Sequence, residues 1–267
     1  MLNVRANMPF LRFICLVIAL LLFFFAVAPM QGLLARHRVP LADRIPLLFC
    51  RTLLRILRVQ VVLSGQQPTQ GPQLLAVNHV SWIDVLVMGS ITPFCFLAKQ
   101  EVASWPILSS FARVQGTVFI DRSRRRGIPP ANRAMAERMG EGRAVLLFPE
   151  GTTYDGMTLG PFYSSHFAAA RDFLRLYEDH QTVSVQPVAL SYSRGFAAWI
   201  GDDALLPHLW RVLQREPLTC RVAFAEPVPY TGESDRKVVT RLVRYAIADL
   251  LVTSHLVPED ARVLSAV

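Results

Sequence analysis

Asn78-His79-Val80-Ser81-Trp82-Ile83-Asp84 is the stretch whose reading decides this chain. It follows the apolar run Leu74-Leu75-Ala76-Val77, which reads as a buried strand. It leads into Val85-Leu86-Val87-Met88, which reads as the body of a helix. A His at a strand end with a carboxylate downstream has the parts of an acid/base pair. On a single helix a five-residue step turns about 500°, so the two side chains would not share a face. They meet only if His79 sits in the turn and Asp84 in the first helical turn. A capping role uses the same residues: Ser81 as N-cap and Asp84 at the third helical position would form a capping box. This stretch alone leaves both readings open.

Beyond it, short β-rich runs alternate with helical ones from residue 60 onward. The strands expected are Gln60–Leu63, Leu74–Val77, Phe94–Ala98, Thr117–Asp121, Ala144–Phe148, Val183–Leu190 and Arg221–Ala225. Helical patterns fall at Ile83–Ile91, Pro130–Met139, Ser164–Tyr177, Leu205–Leu213 and Asp235–Leu251. This predicts an α/β domain with a mainly parallel or mixed sheet flanked by helices. Such sheets carry their sites at the carboxyl ends of the strands. His79, Arg122 and Glu150 each follow a strand, so they are expected along one edge.

The composition adds a membrane. Of 267 residues 52% are hydrophobic and 18% charged, and the net charge is +8. Residues 1–60 hold eight Arg against one acidic residue, whereas the other 207 hold 20 Lys+Arg against 19 Asp+Glu. The basic excess therefore flanks apolar segments, where it would meet anionic lipid or signal topology. Nucleic acid is not an expected partner. Cys15, Cys50, Cys95 and Cys220 form no C-x-x-C pair, which argues against a disulfide framework or zinc site.

Phe13–Ala35 is 23 residues without a charge, flanked by Arg5, Arg12, Arg36 and Arg38. Its clean part, Phe13–Ala28, would make about 24 Å of helix against roughly 30 Å of hydrocarbon. Pro29 directly after Ala26-Val27-Ala28 argues against signal-peptide cleavage there. In Leu41–Val59, Arg51, Arg55 and Arg58 would share one helix face, with leucines on the rest. That predicts a basic amphipathic helix lying in the membrane interface, placed ahead of a core helix with one solvated basic face. The expected division is membrane-anchoring helices over 1–60 and a catalytic domain over 61–267. The six Arg from Arg36 to Arg58 outnumber Arg5 and Arg12, so a spanning first helix would place the catalytic side in the cytoplasm, and a monolayer-inserted one would leave both flanks there.

Two further stretches carry chemistry. Phe148-Pro149-Glu150-Gly151-Thr152-Thr153 ends a strand in a turn from which a carboxylate and hydroxyls are expected to project. Gly116 to Arg122 ends another strand in charge, followed by Arg124, Arg125 and Arg126, a group suited to phosphate or to a solvated loop.

Together these stretches resemble the glycerolipid acyltransferase family, which includes the lysophosphatidic acid acyltransferases. Asn78-His79 to Asp84 is similar to its N-H-x-x-x-x-D block, and Gly116–Arg122 to its second block. Phe148–Thr152 is similar to its F-P-E-G-T block, and Val185-Gln186-Pro187-Val188 to its V-P-V strand. Lys99-Gln100-Glu101 also resembles a family stretch. The match runs in order from about residue 74 to 190.

The resemblance implies acyl transfer from a thioester, acyl-CoA or acyl carrier protein, to a lysolipid hydroxyl. The acceptor placed first is 1-acyl-glycerol-3-phosphate. It implies His79 as general base and Asp84 as the group that fixes its tautomer. Arg122 would bind the acceptor's phosphate, and Glu150, Gly151 and Thr152 would position the acceptor. No metal or bound cofactor is expected. Many family members carry Arg and Ser after F-P-E-G-T and Lys after the later Phe; here Thr153-Tyr154 and Tyr163 stand there. Phe148–Phe167, with Thr152-Thr153, Asp155-Gly156 and Ser164-Ser165, looks closer to a bacterial branch that includes lyso-ornithine lipid acyltransferases, the alternative acceptor. The setting implied is the bacterial inner membrane.

A serine hydrolase is the remote alternative, because Ser191-Tyr192-Ser193-Arg194-Gly195 approaches a nucleophile elbow but begins with Ser191. A kinase is disfavoured, since neither Lys99 nor Lys237 completes G-x-x-x-x-G-K. A membrane tether would leave His79, Arg122 and Glu150 at three strand ends unexplained.

Overall fold

Leu74 to Val77 lie at the centre of a sheet, and each is fully buried. Successive side chains of a strand point to opposite faces. Leu75 and Val77 enter one core cluster, and Leu74 and Ala76 another. The computed structural model describes residues 4–37, 39–68, 71–104, 106–121, 125–253 and 261–264.

The strands are β1 (Val59–Gly65), β2 (Gln73–Val77), β3 (Cys95–Lys99), β4 (Val118–Ile120), β5 (Ala144–Leu147), β6 (Thr182–Tyr192), β7 (Leu218–Phe224), β8 (Val228–Thr231) and β9 (Arg262–Val263). Their order is β4-β3-β5-β2-β6-β7-β1-β9, with β8 also paired to β6. The run from β4 to β6 is parallel, β7 is antiparallel to β6, and β1 is parallel to β7. The sheet is thus mixed with a parallel half, as expected, and the parallel strands present their carboxyl ends along one edge. Pro187 lies mid-strand in β6, where its missing N–H is normally excluded. It falls in the gap between the β8 pairing of residues 182–185 and the β7 pairing of residues 188–192.

Helices cover both faces. On one side lie α1 (Val4–Leu22), α2 (Ala28–Arg36), α3 (Leu41–Leu57), α4 (Ile83–Gly89), α5 (Pro106–Val114) and α8 (Leu205–Gln214). On the other lie α6 (Ile128–Gly140), α7 (Ala168–Leu176) and α9 (Arg236–Thr253). The expected helices and strands from residue 60 onward are all present. The sequence reading did not contain α5, β8 or β9.

α1 and α2 are continuous through a π-helical turn, Phe23–Val27. The turn ends two residues before Pro29, whose ring conflicts with the carbonyl four residues earlier. The span Met8–Arg36 is the one candidate membrane span among the described residues. Phe23 faces inward and stacks on Phe49 with ring centroids 3.9 Å apart. Phe10, Leu11, Ile18, Leu22, Phe25 and Leu33 face outward. This apolar outer face marks the helix for association with a membrane.

Two features of α3 differ from expectation. Its apolar face is turned onto the protein, with Cys50, Leu53, Leu54 and Leu57 buried, rather than toward lipid. Contact with α4 and the sheet satisfies that face first. The helix also stops at Leu57, and Arg58 takes a left-handed conformation with φ 59°, so it does not continue the Arg51–Arg55 face. One core cluster contains Leu16, Phe23 and Leu57 together with Leu75 and Val188, and so runs across residue 60. All four cysteines are free; Cys50, Cys95 and Cys220 are buried and Cys15 is exposed.

Candidate active site

The motif loop is held from three directions before any chemistry is considered. The Asn78 side chain donates to Leu190 O at 3.0 Å and accepts from Leu190 N–H at 2.7 Å, continuing the β2–β6 ladder past the strand end. Tyr154 N–H donates to His79 O at 2.8 Å, and Trp199 N–H donates to Val80 O at 2.9 Å. Gly156, at φ 78°, packs so closely that an added Cβ would lie 3.2 Å from Val80. The loop therefore has little freedom to move His79.

His79 sits in the turn and Asp84 in the first turn of α4, the one arrangement in which they meet. Nδ1 of His79 is 2.8 Å from Asp84 Oδ2. Asp84 is fully buried. Its Oδ2 also accepts from Val80 N–H at 2.7 Å and Ser81 N–H at 2.9 Å, and its Oδ1 accepts from the Tyr192 hydroxyl at 2.7 Å. Four donors offset the cost of burying the carboxylate. An ionised carboxylate only accepts, so Nδ1 carries the imidazole proton and the lone pair of Nε2 is left free. The His79 side chain is 19% exposed, and its ring stacks on Phe148.

The capping box is half made. Asp84 reaches back to the Ser81 N–H, but the buried Ser81 hydroxyl has no hydrogen-bond partner and caps nothing. The capping residue is Trp82, already in helical conformation. Because the Val80 and Ser81 N–H groups are committed to Asp84, they are not available to a developing oxyanion.

β5 is the neighbour of β2, which brings Glu150 beside His79. The carboxylate is turned inward rather than projecting; Glu150 is 2% exposed. Neither oxygen makes a hydrogen bond of good geometry. Burial pushes its pKa up to about 7, opposed by the nearby N–H groups of His79 and Gly160. From α9, Arg244 donates to Leu159 O at 3.0 Å and Gly160 O at 3.2 Å, fixing the far side of this loop. Gly151 takes φ 74°, a conformation that disfavours other residues, and its N–H donates to Phe148 O. Thr152 is exposed beside it.

β4 ends at the same sheet edge, three strand spacings from β2, roughly 14 Å. Arg122 itself, with Ser123 and Arg124, lies outside the described residues. Thr153 donates its hydroxyl to Trp199 O, and Tyr163 is exposed, so neither position carries a cation. His208 is a satisfied core residue: its Nδ1 accepts from the Trp82 indole at 3.0 Å while Nε2 faces Ala198 O at 3.0 Å, and burial lowers its pKa. Ser193, of the hydrolase alternative, accepts from Thr219 N–H. Among the described residues, no group of three His, Cys, Asp or Glu side chains could hold a metal ion.

Residues 58–191, which contain His79, Asp84, Phe148 and Glu150, match the Acyltransferase family. The chain belongs to that family. It is 34% identical over 257 residues to the lyso-ornithine lipid O-acyltransferase of Brucella abortus, covering 92% of this chain and 96% of that one. It is 38% identical to the enzyme of the same name from Rhizobium meliloti, over 73% of this chain and 70% of that one. A 1-acyl-sn-glycerol-3-phosphate acyltransferase of Neisseria meningitidis is 36% identical over 66% of this chain and 69% of its own length. The fold is that of the crystal structure of PlsC, the 1-acyl-sn-glycerophosphate acyltransferase of Thermotoga maritima. That similarity has a TM-score of 0.57 at 18% identity and covers 93% of this chain and 99% of that one. The protein is a lysolipid acyltransferase. Sequence reasoning placed His79 and Asp84 but missed Tyr192 and the stacking role of Phe148. Phe148 stood in a quoted motif, whereas nothing in the spacing pointed to Tyr192.

Proposed function

We propose that this acyltransferase moves a fatty acyl group from acyl-CoA or acyl carrier protein to a hydroxyl of lyso-ornithine lipid, with His79 as general base. The observation that carries the chemistry is the His79–Asp84 pair, in which Asp84 holds the Nδ1 proton and leaves Nε2 free. In this reading Nε2 takes the acceptor hydroxyl's proton as the oxygen attacks the thioester carbonyl. The tetrahedral intermediate collapses, the C–S bond breaks, and the thiolate leaves with the proton that His79 held. The products are an ester and a free thiol.

The acceptor choice reverses the order drawn from the sequence. It is favoured by the longer matches to proteins named lyso-ornithine lipid O-acyltransferase, and by the absence of cations at Thr153 and Tyr163. The Neisseria relative favours 1-acyl-glycerol-3-phosphate as the second reading. Arg122 would meet the anionic headgroup group, a carboxylate or a phosphate. Gly151 and Thr152 would position the acceptor, with Glu150 supporting the turn from beneath. The catalytic side would face the cytoplasm, with the outer face of α1 and α2 in the inner membrane.

Purified protein assayed with both acceptors and both thioester donors tests this reading. Wild-type turnover is expected with lyso-ornithine lipid, and His79→Ala is expected to abolish it while leaving the fold intact. Asp84→Asn should lose much of the activity, whereas a capping role alone would cost only about 1 kcal/mol of stability. Normal turnover by folded His79→Ala would remove the base assignment.

A further inference from the structure

We infer that Tyr192 is a positioning residue for catalysis, acting on His79 through Asp84; the inference rests on the general-base reading of His79. The two oxygens of Asp84 are not equivalent. Oδ2 is shared by His79, Val80 and Ser81, whereas Oδ1 has Tyr192 as its hydrogen-bond donor, at 2.7 Å. Three donors on one oxygen fix where that oxygen lies. The fourth, on the other oxygen, fixes the rotation of the carboxylate plane, and with it the line along which His79 Nδ1 is held.

The hydroxyl is well placed to do this. Tyr192 ends β6, and two residues earlier Leu190 is clasped through its backbone by Asn78, the residue before His79. Strand and motif loop are therefore locked in register, and Tyr192 reaches Asp84 from a fixed base. On β7, Cys220 is the cross-strand partner of Tyr192, and its buried thiol lies within reach of the same hydroxyl. Burial, followed by the charge of Asp84, keeps the phenol protonated by raising its pKa. It therefore remains a donor across the working range. The chain Tyr192–Asp84–His79 runs from the sheet to the reacting atom, with each proton in a defined place.

A purely structural Tyr192 would satisfy a buried oxygen and do nothing more. Removing it would lower thermal stability and leave the chemistry of the folded fraction unchanged. A positioning Tyr192 changes the rate and the pH profile. Its hydrogen bond disperses charge on Asp84; without it the carboxylate holds the protonated imidazole more strongly, so the acidic limb of kcat/KM moves to higher pH.

Tyr192→Phe keeps the ring and removes only the hydroxyl. The experiment measures kcat, both KM values and the acidic limb for wild type, Tyr192→Phe and His79→Ala, with circular dichroism to establish the folded fraction. Tyr192→Phe is expected to lose about tenfold in kcat, with both KM values within about twofold of wild type and the limb shifted upward. Asp84→Asn supplies a second measurement: in that background Tyr192→Phe should have no further effect, because the group it acts on is altered. Wild-type kcat and an unmoved limb in folded Tyr192→Phe, beside an inactive His79→Ala, would overturn the Tyr192 role and leave the base assignment standing. An additive loss in the Asp84→Asn background would also overturn it. An active His79→Ala would remove both.

Discussion

Phe148 lies flat against His79, with ring centroids 4.0 Å apart and planes 14° apart. Asp84 fixes one nitrogen of the imidazole and Phe148 fixes the plane of the ring. The two constraints come from different elements, since Asp84 lies in the first turn of α4 and Phe148 directly follows β5. Phe148→Leu keeps an apolar side chain but removes the flat surface. A ring stack contributes about 1 kcal/mol, and 1.36 kcal/mol is a factor of ten in rate. We expect kcat to fall about five- to tenfold while the thioester KM holds. Unchanged kcat in a folded Phe148→Leu variant would show that Asp84 alone orients the imidazole.

Glu150 gives the molecule a pH dependence of known sign. Its carboxyl ordinarily titrates near 4.5 and in the fold near 7, chiefly because burial disfavours the charged form. Between these values the folded state binds more protons than the unfolded state. Stability from this group is therefore highest below about 4.5, falls as pH rises, and levels off above about 7. The full difference is about 3 kcal/mol, since each pKa unit corresponds to about 1.36 kcal/mol. Glu150→Gln removes the titration, so its melting temperature should fall less than that of wild type between pH 4.5 and 7. Parallel melting profiles for the two proteins would mean that Glu150 does not titrate in this window.

Arg12 joins the outward apolar helix to the catalytic domain. Its guanidinium donates to Ile56 O at 2.9 Å, to Leu57 O at 3.0 Å and to Leu213 O, so one side chain caps the carboxyl ends of α3 and α8 together. Helix carboxyl ends leave carbonyls unsatisfied and attract cations. Arg12→Ala would strand these acceptors at a cost of about 3 kcal/mol. Arg12→Lys should recover only part of it, since an ammonium lacks the planar fork. Thermal unfolding in detergent checks the order wild type, Lys, Ala. If Lys equals wild type, charge at the helix ends suffices and the fork geometry is not needed.

What the sequence disclosed and withheld follows from distance along the chain. His79 and Asp84 are close in sequence, so their meeting reduced to one local condition, which the structure meets. Asn78 with Leu190 and Asp84 with Tyr192 are separated by 112 and 108 residues, and no local period encodes such contacts. The inward turn of Glu150 was hidden for a related reason: a polar turn reads as exposed until β5 is placed beside β2. β8 was missed because four residues containing Pro229 do not read as a strand. α5 begins at Pro106, a helix-start signal that went unread. The basic face of α3 was visible, but which element would cover its apolar side was not.

The acceptor can be tested by restoring the charge that this chain lacks. Tyr163 is 58% exposed, so Tyr163→Lys places an ammonium on the rim of the F-P-E-G-T loop without disturbing the core. Thr153 is a poorer choice because its hydroxyl is bonded to Trp199 O. A phosphate headgroup would gain from the added cation, and an ornithine amine would be repelled by it. An exposed pair contributes about 0.2–1 kcal/mol, so the ratio of kcat/KM for 1-acyl-glycerol-3-phosphate over lyso-ornithine lipid should rise about threefold. Arg122→Ala provides the complementary measurement. It should raise the acceptor KM for either lipid, because both headgroups offer an anion, and leave the donor KM nearly unchanged. Kinetics with each acceptor at fixed thioester separate the possibilities. A wild-type preference for lyso-ornithine lipid with a threefold shift in Tyr163→Lys supports the proposed acceptor. A wild-type preference for 1-acyl-glycerol-3-phosphate reverses the substrate and preserves the mechanism. Unchanged kinetics in Arg122→Ala would remove the headgroup role assigned to that residue.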